Sequence, residues 1–160
     1  MILTLQTSLH KAFLMVAVLV VPFLVGCSSS SSLRSAPSKR AVQILERAES
    51  LIGTSYCPAG RTPECFDCSG FVLYCYFIDD AVLPLTSHSM YVEGSPVDKG
   101  APLPGDLVFF RTIGNDVNHV GIMMDANRFI HASSSNGVMV SSLTDTYWSS
   151  RYIGARRYIR

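Results

Sequence analysis

The sequence predicts an α+β domain whose helices come first and whose second half folds as an antiparallel sheet of roughly five to six strands. Three observations carry that expectation. Apolar residues recur at spacings of three and four near the start of the domain, short β-prone runs follow Gly100, and there is neither an internal repeat nor a second domain. The first helix uses Ala41, Ile44, Leu45, Ala48, Leu51 and Ile52 as its apolar stripe, with Ser38 as N-cap and Gly53 as stop. A loop of turn-formers, "GTSYCPAGRTPECFD" (53–67), comes next. The apolar run 69–78 is long for a strand and starts just after Asp67, a good N-cap, so it reads as a second helix. Residues 86–93 form a third, short helix capped by Thr86. Runs 107–111, 119–125, 128–132, 137–141 and 152–159, separated by Gly, Asn, Asp and Ser, read as the strands of a meander.

Ahead of this domain the texture differs. Lys11, the only charge of the first thirty residues, precedes the apolar stretch "AFLMVAVLVVPFLV" (12–25). That stretch of about 14 residues is shorter than the roughly 20 a membrane-spanning helix needs, and it reads as a signal peptide. Its end, Leu24-Val25-Gly26-Cys27, resembles the lipobox of bacterial lipoproteins. The resemblance implies cleavage after residue 26 and a lipid on Cys27, which anchors the chain to a membrane. A plain signal peptide and an uncleaved anchor are the alternatives. Residues 27–40 then form a lipidated cysteine with a serine-rich tether, and 41–160 the folded domain. Ser28 permits outer-membrane sorting, facing the periplasm, if the cell is Gram-negative.

All 12 acidic residues lie in 41–160, against 9 basic ones in the same span, a net charge of −3. A nucleic-acid partner, which would require a basic face, is not expected. The arginines of the last ten residues fit the solvated face of a strand.

The chemistry centres on Cys68. If Asp67 caps the second helix, the thiol lies in its first turn, where unpaired N–H groups stabilise a thiolate. A nucleophile needs a base, and a base needs a partner for its second ring nitrogen. After residue 26 the chain holds three histidines: His88, His119 and His131. His119 and His131 are twelve apart and bracket two adjacent strands. Whether they share a face depends on the intervening loop. A two-residue turn at Ala126-Asn127 sets His131 opposite Ile122, on the wrong face. A three-residue loop at 125–127 sets it opposite Gly121, diagonal to His119 and roughly 7–8 Å away at Cα. Asn127 in a left-handed conformation would suit that loop.

"FDCSGFV" (66–72), "LPGDLVFF" (103–110), "HVGIMMD" (119–125) and "RFIHASSSNGV" (128–138), in this order, resemble the signature stretches of the NlpC/P60 family. These are papain-like cysteine peptidases of the bacterial cell wall. The resemblance implies the papain-like fold, Cys68 as nucleophile at a helix N-terminus, His119 as base and His131 as the polar third member. It also implies that Tyr56 sits near the nucleophile, holding substrate or the oxyanion. The implied reaction is amide hydrolysis in a peptidoglycan stem peptide, either between D-glutamate and the diamino residue or at a cross-link. A non-catalytic peptidoglycan-binding or scaffold lipoprotein, and an amidase or acyltransferase on the same fold, are the alternatives. Ser69 serves the helix start or contacts substrate, and His88 is a surface residue or a groove residue.

Cys57 and Cys65 stand where that family has other residues. Outside the cytoplasm disulfides persist, so the two either bridge their loop or remain free thiols. Zinc is not expected, because structural sites show two close ligand pairs and this chain has one. A CxxC redox pair of Cys65 and Cys68 would want a βαβ setting that the helix-first order does not supply. Cys75 reads as a buried apolar residue. No cofactor is expected, and a monomer is.

Overall fold

The computed structural model describes residues 36–78 and 82–159. The expected signal peptide, Cys27 with its expected lipid, and most of the expected tether lie outside the described residues.

Helix α1 (Lys39–Ser50) starts where Ser38 Oγ accepts from Ala41 N at 3.2 Å, which satisfies one orphan donor of its first turn. Its buried stripe is Ala41, Ile44 and Ala48. Helix α2 (Cys68–Tyr76) is capped by Asp67, whose Oδ1 accepts from Gly70 N at 2.6 Å. At its other end the Arg47 guanidinium of α1 donates to the Tyr74 and Phe77 carbonyls at 3.2 and 2.6 Å. The two helices are thus tied by a cation on the negative end of a dipole as well as by packing. Helix α3 (Ser87–Glu93) is capped by Thr86.

Between α1 and α2 the loop of turn-formers is not structureless. It folds into a three-stranded sheet of β1 (Ser55–Tyr56), β2 (Arg61–Thr62) and β3 (Cys65–Phe66), with β3 central. Two-residue strands carry no alternation, so the sequence gives no sign of them. The main sheet has six strands, β4 (Ser95–Val97), β5 (Leu107–Phe110), β6 (His119–Met123), β7 (Arg128–Ser133), β8 (Gly137–Ser142) and β9 (Tyr152–Arg157), in the order β4-β9-β5-β6-β7-β8, with antiparallel pairing throughout. Strand β4 was not anticipated because Pro96 sits in its middle. It is an edge strand, where a missing N–H is tolerated. A single-turn helix, α4 (Thr146–Ser149), precedes β9.

The sheet is buried on both faces. Helices α1 and α2 cover Phe109, Val120, Ile122 and Ile130, while Val108, Phe110, Met123 and Phe129 pack beneath Trp148 and Tyr152 on the other side. Every residue of β5 and β6 is consequently buried, which is why neither strand shows the apolar–polar alternation of a half-exposed one. Asp106 closes the structure at the start of β5. Its carboxylate is 1% exposed, accepts from Leu103 N at 2.7 Å and takes a two-pronged contact from Arg157 at 2.7 and 2.6 Å.

Strands β6 and β7 pair Ile122 with Ile130 and Met123 with Phe129. This register makes the connection the three-residue one, 125–127, with Gly121 opposite His131. Asn127 is not left-handed, however; Ala59 is the only described non-glycine residue with positive φ. The turn is held instead by Asp125, whose Oδ1 accepts from Asn127 N and Arg128 N at 3.0 and 2.9 Å while Oδ2 pairs with Arg128 Nε at 2.6 Å. A Cβ at position 121 would sit 2.7 Å from the Phe129 ring and 3.2 Å from His131 Cβ. Gly121→Ala is therefore expected to lose about 1–3 kcal/mol of stability by overpacking, read by urea unfolding. A variant as stable as the parent would mean the Phe129 ring yields without cost.

Candidate active site

Cys68 opens α2, which packs on β6 and β7. Its half-buried thiol points into the end of the β6–β7 ladder where registered pairing has ceased. There Sγ lies 3.8 Å from the Asn118 carbonyl and receives the Val120 N–H, the two backbone groups flanking His119. The thiol's hydrogen bond goes to Asn118 and not to the His119 ring. Burial and then the Asp67 carboxylate push the thiol up to about 11, while the N–H groups of Val120, Ser69 and Cys68 pull the other way. The expected thiolate stabilisation at the helix start is present, but desolvation outweighs it. A resting thiol, not a thiolate, follows.

The two histidines face each other across the strands. His119 Nε2 lies 2.9 Å from His131 Nδ1, with the rings nearly perpendicular at 85°. His131 is fully buried, and its other nitrogen, Nε2, lies 3.0 Å from Ser141 Oγ on β8. Burial lowers His119 to about 4; burial and the His119 charge together lower His131 to about 3. Both rings are therefore neutral at pH 7. Trp148 of α4 stacks on His119 at 5.4 Å and meets His131 edge-on at 4.8 Å. The indole is what removes the pair from water on this face, and neither it nor Ser141 carried a signal in the sequence pattern.

Tyr56 on β1 stands close enough that the charges of Cys68 and Asp67, after burial, hold its phenol above the ordinary value. It is a neutral O–H donor. The Ser69 hydroxyl donates to Asp67 Oδ1 at 3.0 Å, a contact within the helix cap. His88 is exposed on α3, and Cys75 is fully buried. Cys57 and Cys65 form a disulfide with Cα atoms 5.6 Å apart, leaving Cys68 a free thiol and Cys65 no partner for it. The bridge ties the residue after Tyr56 to the residue two before the Asp67 cap. Cys57 N donates to Phe66 O and Asp67 N to Gly60 O, so the loop is cross-braced against the start of α2. Among the described residues no group of three or more His, Cys, Asp or Glu could hold a metal ion.

On the His119 side a cleft of about 310 Å³ opens, lined by Ser133, Asn136, Ser141, Thr112, Tyr147 and Trp148 among others. Its wall carries no charged side chain and is rich in hydroxyls. Such a wall offers both donors and acceptors to whatever lies beside the histidine.

The NlpC/P60 family model matches residues 53–157 of the chain. The chain is 44% identical over 114 residues to the probable endopeptidase NlpC of Escherichia coli strain K12, covering 70% of this chain and 74% of that protein. It is 38% identical over 116 residues to the probable peptidoglycan endopeptidase LytE of Bacillus subtilis strain 168, covering 72% of this chain but only 34% of that longer protein. An NlpC/P60 family protein from Bacillus cereus superposes with a TM-score of 0.69 at 28% identity, over 79% of this chain and 42% of that one.

The buried histidines give the fold an acid limit. Their pKa is lower folded than unfolded, so the stability tied to their neutral forms is complete above about pH 6.5 and is lost as pH falls towards about 4. The melting temperature is expected to decline through that window, and His131→Asn to flatten the decline. An identical slope in the variant would assign the acid sensitivity to His119 or to carboxylates rather than to His131.

Proposed function

Because the chain belongs to the NlpC/P60 family, we propose that it is a cysteine peptidase that hydrolyses an amide bond in peptidoglycan stem peptides. Cys68 is the nucleophile, His119 the base and His131 the polar third member. One observation carries the reading: the 2.9 Å contact between His119 Nε2 and His131 Nδ1, set beside a free thiol that touches the backbone on both sides of His119. With Nε2 engaged, Nδ1 is the nitrogen left to His119 for the thiol.

In the first step the thiol turns from the Asn118 carbonyl to His119 Nδ1 and gives up its proton as sulfur attacks the carbonyl carbon. Separately, thiolate and imidazolium are each disfavoured here; formed together and adjacent, each offsets the other's desolvation. The oxyanion meets N–H groups at the start of α2 and the neutral Tyr56 hydroxyl. His119 then protonates the departing amine as the C–N bond breaks, leaving an acyl thioester that water hydrolyses with His119 as base. Since the amine takes its proton from His119, the hydroxyl-rich cleft on that side receives the leaving group.

The relatives supply the substrate class: the B. subtilis protein is named as a probable peptidoglycan endopeptidase, the E. coli one as a probable endopeptidase. For this chain the bond is the one after γ-D-glutamate or a cross-link between stems. The lipobox adds that the enzyme works at the owner's envelope, held there by a lipid on Cys27, in the outer membrane if the cell is Gram-negative.

Residues 28–160 incubated with purified muropeptides are expected to release fragments whose masses name the bond, with Cys68→Ser losing at least about a thousandfold in rate. Equal products from both proteins would sink the nucleophile assignment. No products from either, with muropeptide retained on the folded chain, would favour a binding lipoprotein.

A further inference from the structure

The His119–His131 contact has a directional problem that two histidines alone do not solve. His131 is neutral and carries one ring proton, and both of its nitrogens are engaged, Nδ1 with His119 and Nε2 with Ser141. Two proton arrangements fit the same heavy atoms. In one, the proton is on His131 Nε2 and is donated to Ser141 Oγ. His131 Nδ1 then accepts from His119 Nε2–H, and His119 keeps a lone pair on Nδ1. In the other, Ser141 donates to His131 Nε2, His131 Nδ1–H donates to His119 Nε2, and the proton of neutral His119 sits on Nδ1. The second arrangement has no base facing the thiol.

Resting on the peptidase reading above, we propose that Ser141 is a positioning residue that selects the first arrangement by acting as hydrogen-bond acceptor to His131 Nε2–H. The fold supplies what this requires. Ser141 pairs with Phe129 across β7 and β8, and His131 with Met139, so Ser141 shares a face with His131 and lies diagonal to it. The His131 ring is gripped by Phe129 at 5.0 Å and Trp148 at 4.8 Å, which leaves its proton, rather than its orientation, to be set. Ser141 also lines the open cleft, so its own hydroxyl proton has somewhere to go once its oxygen accepts from His131. Water or the polar leaving group in the cleft accepts a hydrogen bond from that hydroxyl.

The arrangement matters twice. It gives His119 the lone pair that deprotonates Cys68. When His119 then carries two protons, His131 Nδ1 is still an acceptor, and the imidazolium is stabilised instead of meeting a second N–H. A serine fits this task where a carboxylate would draw the His131 proton toward itself.

The test uses the full chain, ¹⁵N-labelled at histidine, in unmodified form and as Ser141→Ala and Ser141→Thr. Two-bond ¹H–¹⁵N spectra report which nitrogen of each ring is protonated, and they do so whether or not the chain hydrolyses anything. The unmodified chain is expected to show His131 protonated on Nε2 and His119 on Nε2. Ser141→Ala should shift His131 toward the Nδ1–H form and lower kcat on muropeptides about 10- to 100-fold, with KM within about twofold. Ser141→Thr, which restores the hydroxyl, should recover kcat to within about threefold. His131 protonated on Nδ1 in the unmodified chain overturns the proposal, even if Ser141→Ala fails to fold. So does an alanine variant with unchanged tautomers and kcat, or one that raises only KM, which would make Ser141 a substrate contact. Correct tautomers in a chain that cleaves no muropeptide would leave the positioning role standing and remove the peptidase reading alone.

Discussion

The site depends on a parity. Side chains on a strand alternate faces, so the number of residues between β6 and β7 decides whether His131 meets His119 or faces away from it. Three residues in the loop, fixed by Asp125 accepting two backbone N–H groups, give the pairing of Ile122 with Ile130 and hence the 2.9 Å ring contact. The same register puts Gly121 beneath the His131 side chain, where any Cβ would collide. Loop, glycine and histidine pair are one constraint seen at three places along the chain.

Where the two strands part, the ladder leaves backbone groups for the Cys68 sulfur. The thiol between Asn118 O and Val120 N fills a sheet defect: α2 delivers it into a gap that a continuous ladder would have closed. Burial on both faces then sets the electrostatics. Helices α1 and α2 on one side and the Trp148 indole on the other make every isolated charge at the site unfavourable. Thiol and imidazoles consequently rest neutral.

The α+β order, the helix caps Ser38, Asp67 and Thr86, and the five longest strands were legible because each rests on local chemistry or on a period of two or 3.6. The spacing of His119 and His131 was legible for the same reason. What the sequence hid was short or rotameric. Strands β1 to β3 are too brief for a period, α4 is a single turn, and Asp125 rather than a left-handed Asn127 shapes the loop. Capping logic anticipated a stabilised thiolate at Cys68, yet the thiol's burial, which reverses the balance, is a tertiary property. Ser141 had no pattern to announce it, since a serine on a strand is ordinary until a histidine nitrogen is found 3.0 Å from it.

Trp148 is the chain's single tryptophan, and it stacks on His119 with ring planes 26° apart. An excited indole loses energy to an adjacent imidazolium far more readily than to a neutral imidazole. The tryptophan emission of the protein therefore comes from one ring that senses the charge of one imidazole. The molecule carries a built-in optical gauge of its histidine pair, readable without label or substrate.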